Sequence, residues 1–493
     1  MAGCTAIVAL LPPLAISRAR LARYAALATG IALALFAARV YLASSQRDLL
    51  DPKFALLSSE ALLVAGSLDV APYLPHLASA TTPGVAADGP RQRLPYQLAA
   101  HDGRLLYIFP PGTVLLDVPG MWVARQLGFS TLTPHGRYSS AQERRLQALF
   151  AAAVAALTVV VVHRIARREL SLPAAAAVAL AAAFASELWG TASRLLWTHT
   201  WATFWVAVAW LELLRWEDGE RRRPLWLAVA LGAAVWCRPT TVLVVLPATL
   251  YVALRHRPAL LRVLVGGAFA ALGLLAFNLF VWNSWTSKYD AVHAPLLGFW
   301  PPAGSLLARA VRPLLSPEHG LVVLYPVLLV VVLALAVHGI SSERRALAAL
   351  AVVGVLAHLA FYARFQRFWG GGTAGNRFLT EVAPLFAWLG AHAWRQTREA
   401  WRARPPARLV RLAVAAATAL LVVAGTAAQA AGSIQLSWRR TERARRAAGI
   451  ELGAKPSRPA GYWMRTPQAK LVVWVARERW PRAGAVPPRR APR

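Results

Sequence analysis

Cysteine is nearly missing from this chain. Of 493 residues only Cys4 and Cys237 carry a thiol, far apart in sequence and one of them inside an apolar run. Two such residues make neither a disulfide framework nor a zinc-binding spacing, and they leave the redox compartment open. Acidic residues are scarce as well, 22 Asp and Glu against 54 Lys and Arg. In a soluble protein the resulting formal charge of +32 would suit nucleic acid. No recognition-module pattern accompanies it here, however, and the arginines cluster between apolar segments, where they anchor topology and meet anionic headgroups. Membrane lipids are therefore expected partners, and nucleic acid is not. Also lacking are a Gly-rich phosphate loop with its Lys and any nucleotide-binding domain, which argues against a nucleotide-sugar donor and against ATP-driven transport. The apolar segments lack strand alternation, which excludes an outer-membrane barrel.

What is abundant is apolar helix former. Hydrophobic residues make up 57% of the chain, too many for a soluble domain with a polar surface. Ala/Leu/Val-rich stretches of roughly 18 to 25 residues recur, each long enough to cross a hydrocarbon core as a helix. The expected fold is an all-α polytopic membrane protein of about eleven transmembrane helices. The residues from Met1 to about Ile16 are broken by Pro12 and Pro13 and followed by Arg18, Arg20 and Arg23. A cleaved signal peptide would carry its basic residues first, so the run at about 24–43 reads as a retained signal anchor with a cytoplasmic N-terminus.

A large external loop is expected over 44–147. Within it, Pro52 to Ala65 suits an amphipathic helix opened by Asp51, and the apolar but Pro-broken stretch Leu105 to Leu127 suits an interfacial element. Further spans are expected near 148–162, 173–192 and 201–214, then a hairpin of two short helices between Leu225 and Leu254, turning at Arg238-Pro239. Others follow near 263–281, 321–338, 346–362, 380–394 and 412–432. The chain thus divides into a multi-span domain, 1–432, and a basic tail, 433–493, which this count places outside against its charge.

Ionisable groups at the outer membrane boundary are functional candidates. Asp51 is the preferred carboxylate for a general base, because Pro52 fixes the backbone beside it; the same position also suits a helix N-cap. Asp48 is the alternative base, and its neighbour Arg47 offers it a surface ion pair instead. Asp69, Asp102 and Asp290 compete for the same task, and Glu60 is less attractive. Arg377, at the end of the run from Gly370 through Gly372 and Gly375, is placed to hold a lipid phosphate; a snorkelling interfacial Arg is the plainer reading. The glycines permit close backbone approach to a ligand. Arg364 and Arg367 are weaker versions of it. His199, flanked by Trp197 and Trp201, suits contact with phosphate or sugar hydroxyls and equally an aromatic belt. Lys288 and Tyr289 can reach the same headgroup or stand in a solvated loop, and Asp102 is retained as a substrate-binding candidate.

Four stretches carry a resemblance: Tyr107-Ile108-Phe109-Pro110-Pro111-Gly112, Leu196-Trp197-Thr198-His199, Cys237-Arg238-Pro239-Thr240 and Gly375-Asn376-Arg377-Phe378. With a short N-terminus, one span, a large external loop opening on an Asp and then many spans, the chain resembles the GT-C superfamily of membrane glycosyltransferases, in particular bacterial members related to protein mannosyltransferases. The resemblance implies inverting transfer from a polyprenyl-phosphate sugar to a lipid, glycan or protein acceptor of the cell envelope, on the extracytoplasmic face. It matches Asp51 to the catalytic acid of the first loop. The commonest form has two adjacent acids there, whereas Asp51 is followed by Pro52 and Lys53, so no paired carboxylate for a metal is present and no metal or other cofactor is expected. A transporter or lipid flippase is the alternative, since broken helices also suit alternating access, but no internal repeat is visible. A non-catalytic scaffold of envelope assembly is a third reading. The Ala, Arg and Leu richness fits GC-rich bacterial coding and hence the inner membrane.

Overall fold

The computed structural model describes residues 18–44, 49–77, 94–286, 288–289, 306–316, 319–365, 368, 370 and 375–434. Asp48, Asp290, Arg367, Gly371, Gly372 and the basic tail after residue 434 lie outside the described residues.

The described chain is mostly helical. In order, α1 is Arg18–Ala43, α2 Ala55–Ala65, α3 Pro111–Gln126, α4 Ser140–Ala166, α5 Leu172–Phe184, α6 Thr198–Glu217, α7 Pro224–Cys237 and α8 Val242–Arg255. Then come α9 Arg257–Trp282, α10 Leu306–Leu315, α11 Leu321–Leu324, α12 Val327–His338, α13 Arg345–Tyr362, α14 Ala383–Ala403 and α15 Arg408–Ile434. A helix lies at each expected span, but the expectation of about eleven crossings is met only in part. Five helices are long and apolar enough to cross a membrane, namely α1, α4, α9, α13 and α15. The helices α5, α7, α8 and α12 are apolar but shorter. On α9 and α15, Phe269, Leu272, Phe280, Leu409 and Leu420 are well exposed, as suits side chains that meet lipid.

The hairpin turn at Arg238 forms where expected. Pro239 offers no N–H and disfavours helical backbone at the residue before it, and Arg238 is accordingly extended, at φ −155 and ψ 104. The same chemistry splits the run at 321–338 into α11 and α12, with Pro326 between them.

The first loop is folded rather than open, and it closes earlier than expected because α4 begins at Ser140. Strands β1 (Leu98–His101) and β2 (Arg104–Tyr107) pair antiparallel, with Asp102 at φ 46 in their turn. They pack with α2 and α3 around Phe54, Leu74, Leu105, Leu106 and Ile108. Helix α3 docks on α7 through Gly112, where a methyl group would meet the backbone of Trp236 and Cys237. The helix expected to open at Pro52 starts three residues later, and Asp51 does not cap it. Phe54 stands at its head in left-handed backbone, φ 75, with no side-chain cap of its own. The cap arrives from far away in sequence: Glu143 accepts the Phe54 and Leu56 N–H groups, both at 3.1 Å.

Buried and part-buried ion pairs tie the helices at the basic end of the bundle. Glu169 faces Arg344 at 3.3 Å, His392 at 3.2 Å and Arg395 at 3.2 Å. Asp218 joins Arg344 at 2.5 Å and Arg168 at 2.8 Å, and His256 lies 3.2 Å from Glu217. The C-terminal ends of α1, α7 and α13 and the N-terminal ends of α6 and α14 lead to the other extremity, where Asp51 meets Arg377 and Arg238 meets Glu381 and Tyr362.

Candidate active site

At that extremity, segments spread over more than three hundred residues meet. Asp51 lies in the turn between α1 and α2, held from both sides of its peptide unit. The Tyr107 hydroxyl donates to its carbonyl oxygen at 2.8 Å, and the Tyr96 hydroxyl donates to its Oδ1 at 2.7 Å. Its Oδ2 accepts from Arg377 Nη1 at 2.6 Å. The pair is mostly buried, with 17% of the Asp51 side chain exposed and 7% of Arg377, so the carboxylate keeps a narrow opening. Burial first, then the Asp51 charge, pushes the Tyr96 phenol up, which keeps it a donor. Tyr107 is raised for the same two reasons in the same order.

Arg377 reaches this position from a short 3₁₀ turn, Arg377–Leu379, just before α14. Its guanidinium lies 4.7 Å over the Trp197 ring and 5.6 Å from the Phe378 ring, so flat faces fix the plane of its fork. Its Nε has no hydrogen-bond partner among the described residues. Of the glycines read as giving room to a ligand, the described two give room to the protein itself. Gly375 abuts Glu187, and Gly370, at φ +86, abuts the Arg377 side chain.

A second ionic group sits behind the first. Glu381, fully buried, has Arg238 Nε at 2.6 Å and His199 Nδ1 at 2.7 Å from one oxygen. Both contacts are at ion-pair distance but off the line of a straight hydrogen bond, and the second oxygen has no partner among the described residues. Arg238 also donates to the Tyr362 hydroxyl at 2.9 Å. Phe378 lies between the two groups: it stacks on Tyr362 at 4.0 Å and 9°, and its ring centre is 5.3 Å from the Arg238 guanidinium and 5.6 Å from that of Arg377.

The structure thus gathers Asp51, Arg377 and His199 in one region, with Tyr289 beside them through Phe109 at 5.0 Å and Phe109 on Tyr107 at 5.1 Å. Lys288 precedes Tyr289 half-buried, with no polar partner among the described residues. Asp102 is not brought in: it stands on the hairpin turn, 69% exposed, beside His101 and Arg104. Asp69 is spent on backbone, accepting from Ala71 and Leu105. Glu60 holds Arg125, Ser130 and Thr131 within the first loop. Sequence reasoning missed Tyr96, Glu381 and Glu187; a Glu in an otherwise apolar run before Trp, and another opening a span, were the available signals. Among the described residues, no three His, Cys, Asp or Glu side chains gather as metal ligands.

An Asp with a polarising cation on one oxygen, a phenol on the other and a narrow opening has the parts of a general base beside an anion-holding residue. Residues 142–285 match the dolichyl-phosphate-mannose-protein mannosyltransferase family. The matched stretch runs from the start of α4 to just past α9, so it contains His199 and Arg238 and stops short of both Asp51 and Arg377. It supports a multi-pass membrane glycosyltransferase of the GT-C type. No curated protein and no solved structure matches the chain.

Proposed function

We propose that the protein transfers a sugar from a polyprenyl-phosphate donor to a hydroxyl of a lipid, glycan or protein acceptor of the bacterial envelope. The observation that carries this reading is the pairing of Asp51 with Arg377 at 2.6 Å, across 326 residues of sequence. In the proposed reaction Asp51 takes the proton of the acceptor hydroxyl as its oxygen attacks the anomeric carbon. The bond from that carbon to the phosphate oxygen breaks in the same displacement, which inverts the centre, and polyprenyl phosphate leaves. Arg377 holds the phosphate and offsets the charge that develops on it, the task for which a planar guanidinium is suited. Tyr289, packed on Phe109, and Lys288 before it are assigned to the donor headgroup, as is His199, whose ring neighbours Phe378. No step is assigned to a metal.

The basic turns at the ends of α4, α6, α8 and α14 support placing that end in the cytoplasm and the site on the extracytoplasmic face of the inner membrane. The test is transfer of radiolabelled sugar from polyprenyl-phosphate donors to extracted envelope acceptors by the purified protein in lipid. Wild-type transfer that Arg377→Ala abolishes supports the reading. A well-folded wild type that transfers from none of the donors sinks it and returns the transporter reading.

A further inference from the structure

Arg377 can meet a phosphate only if the short segment before it is held still, and one buried side chain grips the backbone of that segment directly, while Asn376 Nδ2 also donates to the His319 carbonyl at 3.2 Å. The helix α5 ends at Phe184, and after it the chain makes a single wide π-turn, Leu188–Ala192. Such turns are rare and concentrate at functional sites. Glu187 stands at the head of this turn, fully buried. A buried carboxylate is retained only where its oxygens are satisfied, and these are. Oε1 accepts the backbone N–H of Asn376, the residue before Arg377, at 3.0 Å, and Gln429 Nε2 of α15 at 3.2 Å. Oε2 accepts the Thr191 hydroxyl at 2.8 Å. The Glu187 N–H itself donates to the Tyr325 hydroxyl at 3.0 Å.

Space around the carboxylate is fitted as closely. A methyl group at Gly375 would overlap Oε1, and one at Gly190 would stand 3.0 Å from Oε2. Because three donors hold the carboxylate, it cannot swing aside cheaply. On the far side of Arg377, the Thr380 hydroxyl donates to the Arg377 carbonyl at 2.6 Å, closing the 3₁₀ turn.

We infer that Glu187 is a positioning residue: from the π-turn it clamps the Gly375–Asn376 backbone and so sets where the Arg377 guanidinium stands. This inference rests on the reading of Arg377 as the phosphate-holding residue. Glu187 touches neither substrate nor reacting atoms. Its effect is on the preference for phosphate, and fold stability by itself would not move that quantity.

The experiment compares binding of a polyprenyl phosphate with binding of the uncharged polyprenol, in lipid nanodiscs, for the full chain. The variants are Arg377→Ala, Glu187→Ala, Gly375→Ala and the Glu187→Ala/Gly375→Ala double. Wild type is expected to prefer the phosphate, and Arg377→Ala to lose that preference. Glu187→Ala and Gly375→Ala are each expected to weaken phosphate binding on the order of tenfold, the effect of losing one hydrogen bond to a charged group, with polyprenol binding unchanged. The double variant is expected to match the worse single variant, because the added methyl has nothing left to strike. Glu187→Gln keeps the volume and one acceptor, and it serves if Glu187→Ala does not fold; a weakening of at least about threefold is expected of it. Loss of preference in Arg377→Ala with wild-type preference in the Glu187 and Gly375 variants overturns the inference and leaves the function reading standing. Additive losses in the double variant also overturn it. Wild-type preference in Arg377→Ala overturns both.

Discussion

Replacing Asp51 by Asn changes one atom and tests the proposed chemistry most directly. Asn keeps the shape of the side chain and still offers Tyr96 or Arg377 one acceptor oxygen, but it takes no proton from an acceptor hydroxyl. A positioned general base contributes about 10² to 10⁴ in rate, so kcat for sugar transfer is expected to fall by that factor. The substitution also strips Arg377 of its counter-charge. Breaking a buried pair by removing one partner costs about 3–5 kcal/mol, and the 17% exposure of Asp51 with the remaining amide oxygen places this case at or below the lower end. A thermal-unfolding scan in detergent separates that loss from the loss in rate. Arg377, no longer facing a counter-charge, remains available to phosphate, so the donor KM is expected to stay level or fall. The assay is transfer at saturating acceptor with donor concentration varied, which yields kcat and KM separately. A kcat within about threefold of wild type in a folded Asp51→Asn protein would refute the reasoning and remove Asp51 from the mechanism.

Other outcomes follow from the same contacts. Glu381→Gln leaves Arg238 and His199 without their shared charge, and a loss of about 3–5 kcal/mol is expected in equilibrium unfolding of the purified protein. Gly112→Ala drives a methyl group into the Trp236–Cys237 backbone, which cannot yield as a side chain would; a collapse of monodisperse protein in size-exclusion chromatography is expected. Glu143→Ala uncaps α2 and frees Phe54 from its left-handed turn, so amide exchange across Ala55–Ala61 is expected to accelerate roughly tenfold or more, and unchanged exchange would deny the cap. Asp102→Asn, on an exposed turn whose positive φ Asn tolerates, is expected to leave transfer at wild-type rate, and a clear loss would restore Asp102 to the site.

The residues that local chemistry singles out were legible from sequence, and those defined by distant partners were not. Arg238-Pro239 announces its helix break because proline acts on its own neighbour. Asp51 and Arg377 stood out as charged groups beside apolar runs, and the fold pairs them. The role offered to Asp51 as an N-cap failed, since the cap comes from Glu143, 89 residues from Phe54. Glu187 and Glu381 carry no spacing motif. Their meaning lies in an Asn376 amide, a Gln429 side chain and an Arg238 guanidinium that only the packed bundle brings within reach. The glycines before Arg377 were read as making room for a ligand, whereas the two described ones, Gly370 and Gly375, make room for the protein's own Arg377 and Glu187.

The span of the Asp51–Arg377 contact also has a consequence in time. At typical synthesis rates of about 5–20 residues per second, the 326 residues between them take roughly 15–65 seconds to emerge. Throughout that interval α1 and the folded first loop have been delivered to the membrane while their counter-charge is still unmade. A nascent or truncated chain that ends before Arg377 therefore lacks the cation that Asp51 meets in the finished fold, a built-in mark by which an incomplete copy differs from a complete one.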